Sequence, residues 1–110
     1  MFTHDFLEKF NAINVKFSQK NKERGYDFNT EAMYSTLKLG EEFGELSEQV
    51  LSALGHQRQS KINSYNKENL ETEIADIIIQ TLVVAAHFDV DVSQAVSRKI
   101  DILNEKISDY

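Results

Sequence analysis

The stretch ETEIADIIIQTLVVAAH, residues 71–87, is the part of the chain that decides the fold prediction. It contains neither proline nor glycine, and it predicts a helix over about residues 67–88. Its second half is apolar on nearly every side, which is typical of a helix covered by several neighbours. Its polar exceptions Glu73, Asp76 and Gln80 share about a quarter of the helix circumference.

Three further helices are predicted around this one. Apolar residues at helical spacing favour an amphipathic helix over about residues 3–22 and a second over about 30–54, capped by Asn29 or Thr30. The polar stretch HQRQSKINSYNKEN then predicts a loop with a short turn. Asp91, as N-cap, begins a last helix that ends near residue 107.

These helices predict an all-α fold, a four-helix bundle unit forming one domain over residues 1–110. The central helix is more apolar than three neighbouring helices require. We therefore expect self-association as a homo-oligomer, either a dimer or a tetramer.

Composition excludes several functional classes. The formal net charge of −6 argues against nucleic acid as a partner, and the absence of cysteine excludes a disulfide framework and a zinc-thiolate site. The longest apolar run is too short to span a bilayer, so no membrane partner is expected. The N-terminal residues MFTHDFLEKF lack an apolar signal-peptide core. We expect a cytoplasmic protein.

The carboxylates of two helices carry the candidate chemistry. At about 100° per residue, Glu42 and Glu45 border the buried face of the second helix, while Glu41 points toward solvent. Glu73 and Asp76 lie on an otherwise apolar helix, where an isolated charge is costly unless it is paired or bound to a cation. Packing the two polar stripes together brings four carboxylates into one cluster.

An all-oxygen ligand set favours a hard cation, Mg²⁺ or Mn²⁺, over zinc. A di-iron bundle needs Glu-x-x-His pairs, and this chain contains none. Either motif alone is more often a solvated helix face. The two together are a more specific signal, because the second lies on an apolar helix.

The pattern of EExxE followed by ExxD, each on its own helix, resembles the MazG-like all-α nucleoside triphosphate pyrophosphohydrolases. The resemblance runs from about Tyr26 to the C-terminus and includes the pair Tyr26-Asp27 and the segment FDVDVSQAVSRKI. It implies the metal ligands Glu42, Glu45, Glu73 and Asp76. It also implies catalytic roles for Glu41, Glu42 and Glu45, with Glu41 holding a second metal or orienting the attacking water.

The resemblance further implies Mg²⁺-dependent hydrolysis of a (deoxy)nucleoside triphosphate, in house-cleaning or nucleotide-pool control. Substrate contacts are expected from Tyr26, Lys38, Lys99 and Asn104. Tyr26 replaces the tryptophan of the family, and Lys99 and Asn104 are five residues apart where many members have four.

Two alternatives remain open at this point. A phosphoribosyl-ATP pyrophosphatase has similar motifs, and Lys38-Leu39-Gly40-Glu41-Glu42 is similar to its first one; that family usually has a histidine where this chain has Gln80. A non-catalytic helical interaction module is the alternative from another class. It has no need of four metal ligands.

Overall fold

A computed structural model describes residues 1–107, which form five α-helices and no strand. The helices are α1 (His4–Glu23), α2 (Phe28–Ala53), α3 (Gln59–Ser64), α4 (Lys67–His87) and α5 (Val92–Lys106). The predicted all-α class is confirmed, and the short turn expected in the polar stretch is the six-residue α3. No helix among the described residues is both long and apolar enough to cross a bilayer.

Side-chain caps begin the four long helices. A side-chain oxygen of each capping residue accepts the third backbone N–H beyond it, which satisfies a donor that the helix leaves free. The caps are Thr3, Asp27, Asn66 and Asp91. The prediction for α5 is confirmed. The one for α2 was wrong, because Asp27 Oδ1 accepts from Thr30 N at 2.8 Å and the helix already begins at Phe28.

α2 and α4 form the main helix pair of the chain. They run antiparallel, because Ser35 lies against the later part of α4 and Glu42, farther along α2, meets carboxylates that come earlier in α4. Gln80 Nε2 donates to the Ser35 carbonyl at 3.0 Å, and His87 Nε2 lies 3.3 Å from Ser35 Oγ. Glu42 lies two turns after Ser35 on α2, so it meets the part of α4 that precedes Gln80.

The apolar core is small and joins three helices. Phe10 of α1 packs with Leu82 and Val83 of α4, and Phe2, Phe6 and Val92 lie against this group. The prediction that α4 is covered on several sides holds only in part, because Leu82 and Val83 are buried but Ile78 and Ile79 remain 43% and 37% exposed within one chain.

The single chain is more open than a compact domain of its size. Its radius of gyration is 17.0 Å, whereas about 13 Å is expected for roughly 110 residues. Its accessible surface is 8270 Å², against about 6,200 Å² for a compact monomer of this mass. One chain by itself thus leaves about 2,000 Å² more surface in water than usual.

Candidate metal centre and adjacent cavity

Three carboxylates meet where α2 faces α4. Glu42, Glu73 and Asp76 each offer one oxygen, and these three oxygens all lie within 4.8 Å of one another. Glu73 and Asp76 are three residues apart and therefore share a face of α4. The antiparallel pairing of the helices places Glu42 opposite them.

Two oxygens of this trio are buried without a partner. Glu42 is 9% exposed, and within the described residues Glu42 Oε2 and Glu73 Oε2 have no hydrogen-bond donor. Gln49 Oε1, farther along α2, is in the same condition. Buried oxygens without donors cost free energy, and a bound cation removes that cost. The trio could therefore hold a cation.

The surroundings of the trio disfavour its own negative charge. Burial, followed by the charges of Glu45 and Asp76, raises the pKa of Glu42 above its ordinary value. Burial and the charges of Glu45, Asp76 and Glu42 raise the pKa of Glu73. A bound cation would favour the charged form of both carboxyl groups and so oppose these shifts.

The spacing of the oxygens suits a divalent ion. Opposite oxygen ligands of Mg²⁺ lie about 4.2 Å apart, since each metal–oxygen bond is about 2.1 Å. The three oxygens lie within 4.8 Å of one another, an upper limit about 0.6 Å above that span. The larger Ca²⁺ also fits, because its ligand distances reach about 2.6 Å. The three oxygens could hold a hard cation, and their spacing does not distinguish Mg²⁺ from Ca²⁺.

One cation touches the edge of the trio. Lys38 Nζ lies 3.9 Å from Glu42 Oε1 and 3.4 Å from Glu41 Oε2. The Glu41 side chain is 62% exposed and is outside the group of converging oxygens. The helical phases had predicted this separation of Glu41 from Glu42. Glu41 therefore holds Lys38 beside the cluster.

A cavity of about 430 Å³ opens next to the cluster, between α1, α2 and α4. Lys38 precedes Glu42 by one turn and Gln80 follows Asp76 by one turn, and both side chains line this cavity. Its walls combine cations, amides and aromatic rings with one carboxylate. They are Lys20, Arg24, Lys38, Asn14, Asn21, Gln80, Phe17, Tyr34, Glu31, Ser35 and Val83. The volume lies within the range of small-molecule sites, about 300–1,000 Å³.

The other residues predicted for the site have separate places. Glu45 is exposed and is not one of the converging trio, but its charge raises the pKa of both Glu42 and Glu73. Tyr26 lines a neighbouring cavity with Phe28 and His87, and its ring centre is 6.0 Å from that of Tyr34. Its role in binding stays a prediction.

Lys99 and Asn104 lie exposed on α5, and neither lines the cavity beside the cluster. Their substrate contacts also stay predictions.

Sequence reasoning missed the α1 wall of the cavity. Lys20 and Asn21 have no motif, and they reach the site because Phe10 fixes α1 against α4. A partial signal existed for Tyr34, which stands one turn before Lys38 on the same stripe of α2. Arg24, the C-cap residue of α1, also lines the cavity.

No family model, curated protein or solved structure matches the chain.

Proposed function

We propose that the protein is a Mg²⁺-dependent nucleoside triphosphate pyrophosphohydrolase of the MazG-like kind that its motifs resemble. It cleaves a (deoxy)nucleoside triphosphate to the monophosphate and pyrophosphate. The observation that carries the proposal is the trio Glu42, Glu73 and Asp76, which lies beside a cavity with cationic walls. Two buried oxygens of the trio have no hydrogen-bond donor among the described residues. Such a cluster next to such a cavity suits a ligand that brings phosphate groups to a metal ion.

The carboxylates have distinct roles in this proposal. Glu42, Glu73 and Asp76 hold the ion. When bound, Mg²⁺ offsets phosphate charge and lowers the pKa of a water molecule, and Mn²⁺ can substitute for it. Glu45, whose charge raises the pKa of both Glu42 and Glu73, accepts the proton of the attacking water.

The reaction is a displacement at the α-phosphorus. The water oxygen forms a bond to that phosphorus while the bond to the α–β bridging oxygen breaks, and pyrophosphate leaves with the bond electrons. Lys38, held by Glu41 beside Glu42, stabilises the charge that builds up on the leaving group. Glu41 thus acts through Lys38.

The walls of the cavity complement the parts of the substrate that the metal ion does not hold. Lys20 and Arg24 add positive charge to its walls, which offsets the acidic character of the chain at this one place. Tyr34 and Phe17 offer aromatic surface for a base, and Gln80 is held in position by its bond to Ser35. A nucleotide combines the charge and the aromatic surface that these walls complement.

A pyrophosphate-release assay with Mg²⁺ tests the proposal. The panel contains the eight common nucleoside triphosphates together with phosphoribosyl-ATP, and calorimetry follows the binding of Mg²⁺, Mn²⁺ and Ca²⁺. Turnover of at least one nucleoside triphosphate is expected. Cleavage of phosphoribosyl-ATP alone would favour the other pyrophosphatase, and neither turnover nor metal binding would leave a helical interaction module.

A further inference from the structure

The side of α2 that points away from the carboxylates carries a repeat that the proposed function does not use. Seven residues recur there at alternating spacings of four and three, the repeat of a helix that pairs with another helix. We call them the α2 seam: Met33, Leu37, Gly40, Gly44, Ser47, Leu51 and Leu54. The last of them is the C-cap residue of α2.

The large members of the seam are uncovered in a single chain. Met33, Leu37, Leu51 and Leu54 are 66%, 73%, 40% and 64% exposed. Met33 and Leu37 line a shallow apolar depression of about 300 Å³. Exposed apolar side chains in one contiguous row are typical of a surface that another protein covers.

The middle of the seam is small, and the chain itself gives no reason for that. Glycine inside a helix is destabilising relative to alanine, yet α2 has Gly40 and Gly44 with ordinary helical backbone. A Cβ atom added at either one would meet nothing within 4 Å. Ser47 donates its hydroxyl to the Phe43 carbonyl at 3.0 Å and so needs no outside partner. Small residues here allow a second backbone to approach closely.

The order of sizes along the seam is symmetric about Gly44. In an antiparallel pair with a two-fold axis there, Met33 meets Leu54 of the second copy, and Leu37 meets Leu51. Gly40 then meets Ser47 across the centre. Large residues lie against large ones at both ends and small against small in the middle, as a self-complementary interface requires.

The residues that flank the seam also favour the antiparallel arrangement, in which equal flanks meet. One flank is apolar and contains Phe43 and Val50, which are 64% and 40% exposed. The other flank is acidic and contains Glu41 and Glu48. A parallel pair would instead set the apolar flank of one helix against the acidic flank of the other.

The two acidic residues that would approach each other already have cations. Lys38 Nζ lies 3.4 Å from Glu41 Oε2, and Lys61 Nζ donates to Glu48 Oε1 at 2.9 Å. These pairs are within one chain, so repulsion between the acidic flanks of two copies is offset before they meet.

A single chain leaves more surface exposed to water than a compact monomer does, as expected for a subunit of an oligomer. The chain exposes 8270 Å², about 2,000 Å² above a compact monomer of its mass. A stable interface needs about 800 Å² from each copy, which is less than half of that excess. From these observations we propose that α2 pairs antiparallel with α2 of a second copy along the seam, with the two-fold axis at Gly44.

Single cysteines test the arrangement, because the sequence contains none. With a short bismaleimide, Gly44→Cys is expected to cross-link to its own copy. Met33→Cys is not, because two copies of residue 33 lie about 33 Å apart along an antiparallel pair at about 1.5 Å per residue. A mixture of Met33→Cys and Leu54→Cys chains is expected to cross-link. Self-cross-linking of Met33→Cys, or none at Gly44→Cys, overturns the proposal.

Sedimentation of the intact chain gives an independent test. The wild type is expected to sediment as a dimer or a multiple of a dimer, and a monomer at all concentrations overturns the proposal. Leu37→Asp is expected to weaken association at least tenfold. Its matched control is Val15→Asp on α1, at a residue 69% exposed. Equal association of the Leu37→Asp chain and the wild type overturns the proposal, as does dissociation by Val15→Asp alone. Should Leu37→Asp not fold, the cross-linking pattern decides.

Discussion

The two sides of α2 differ in what a single chain leaves incomplete. On the side facing α4, Glu42 is 9% exposed and one of its oxygens has no donor among the described residues. On the outer side, Leu37 is 73% exposed and lies in a row of apolar and small residues. The first side buries charge without compensation, and the second exposes apolar surface without cover.

This difference indicates which kind of partner each side takes. A buried carboxylate is compensated by positive charge, so the inner side calls for a cation and the phosphates that come with it. An exposed apolar row is compensated by another apolar surface, so the outer side calls for a protein. The predictions below separate the two sides, because each change alters one of them.

The largest effect is expected from loss of a metal ligand. Glu42→Gln and Asp76→Asn each remove a charged oxygen from the trio, and turnover should fall by more than about 100-fold, since even residues behind a ligand often account for 10–100-fold. The measurement is pyrophosphate release, with Mg²⁺ binding followed by calorimetry.

Glu71→Gln is the matched control for these variants, because Glu71 is an exposed carboxylate two residues before Glu73. Its activity should equal that of the wild type. Full activity in both ligand variants would show that the trio is not the metal centre. The assembly state should not change in any of the three, since none of these residues lies on the α2 seam.

A smaller effect is expected in the cavity. Arg24→Gln removes a cation from the wall but leaves the trio intact, so KM should rise about tenfold, the equivalent of about 1.4 kcal/mol of binding. The control is Arg98→Gln on α5, an exposed arginine that does not line the cavity. An unchanged KM for Arg24→Gln would place the substrate elsewhere.

The prediction from sequence was most successful where one helix sufficed. The periodicity of α4 predicted its span and the shared face of Glu73 and Asp76, and the phases along α2 separated Glu42 from Glu41. These features depend on the geometry of a single helix. The α2 cap was missed because Asn29 and Thr30 are capping residue types too, and only the backbone shows that Asp27 accepts the bond.

Features that depend on contacts between distant segments were beyond the sequence. Lys20 and Asn21 reach the cavity through the packing of Phe10 on Leu82, a contact over more than sixty residues that no spacing encodes. The four-helix bundle was predicted from the number of helices. In a single chain, however, the extensive contact is between α2 and α4, and α1 and α5 pack less closely.

A modest change in stability is expected from a substitution on the outer side of α2, and its sign tests the proposed dimer. In an isolated helix, Gly44→Ala should stabilise by about 1 kcal/mol, because alanine is the better helix former and the added methyl group meets nothing within its own chain. In the proposed dimer the methyl group lies at the two-fold axis, so the variant should dissociate more readily and melt at a lower temperature. Thermal unfolding at several protein concentrations measures this. A higher melting temperature that does not depend on concentration would contradict the proposed pairing.

The smallest effect is the pH dependence of the metal-free protein, and it concerns the inner side of α2. The pKa values of Glu42 and Glu73 are raised in the folded chain, mainly by burial. The folded state therefore binds more protons than the unfolded state between the ordinary carboxyl pKa and the raised values. The contribution of these two groups to the free energy of unfolding is fully present below the ordinary pKa and is lost as the pH rises through the raised values.

Mg²⁺ should reverse this trend, because it binds the deprotonated carboxylates and its affinity rises with pH. Urea unfolding of the metal-free chain should thus show a free energy of unfolding that falls from pH 5 to pH 8, with a smaller fall in a Glu42→Gln, Glu73→Gln double variant. At pH 8, saturating Mg²⁺ should add about 2.7 kcal/mol at one hundred times its dissociation constant. The double variant should lose that gain. An identical pH slope in wild type and double variant would mean that the buried carboxylates do not hold the protons assigned to them, and the cation would then have no protons to displace.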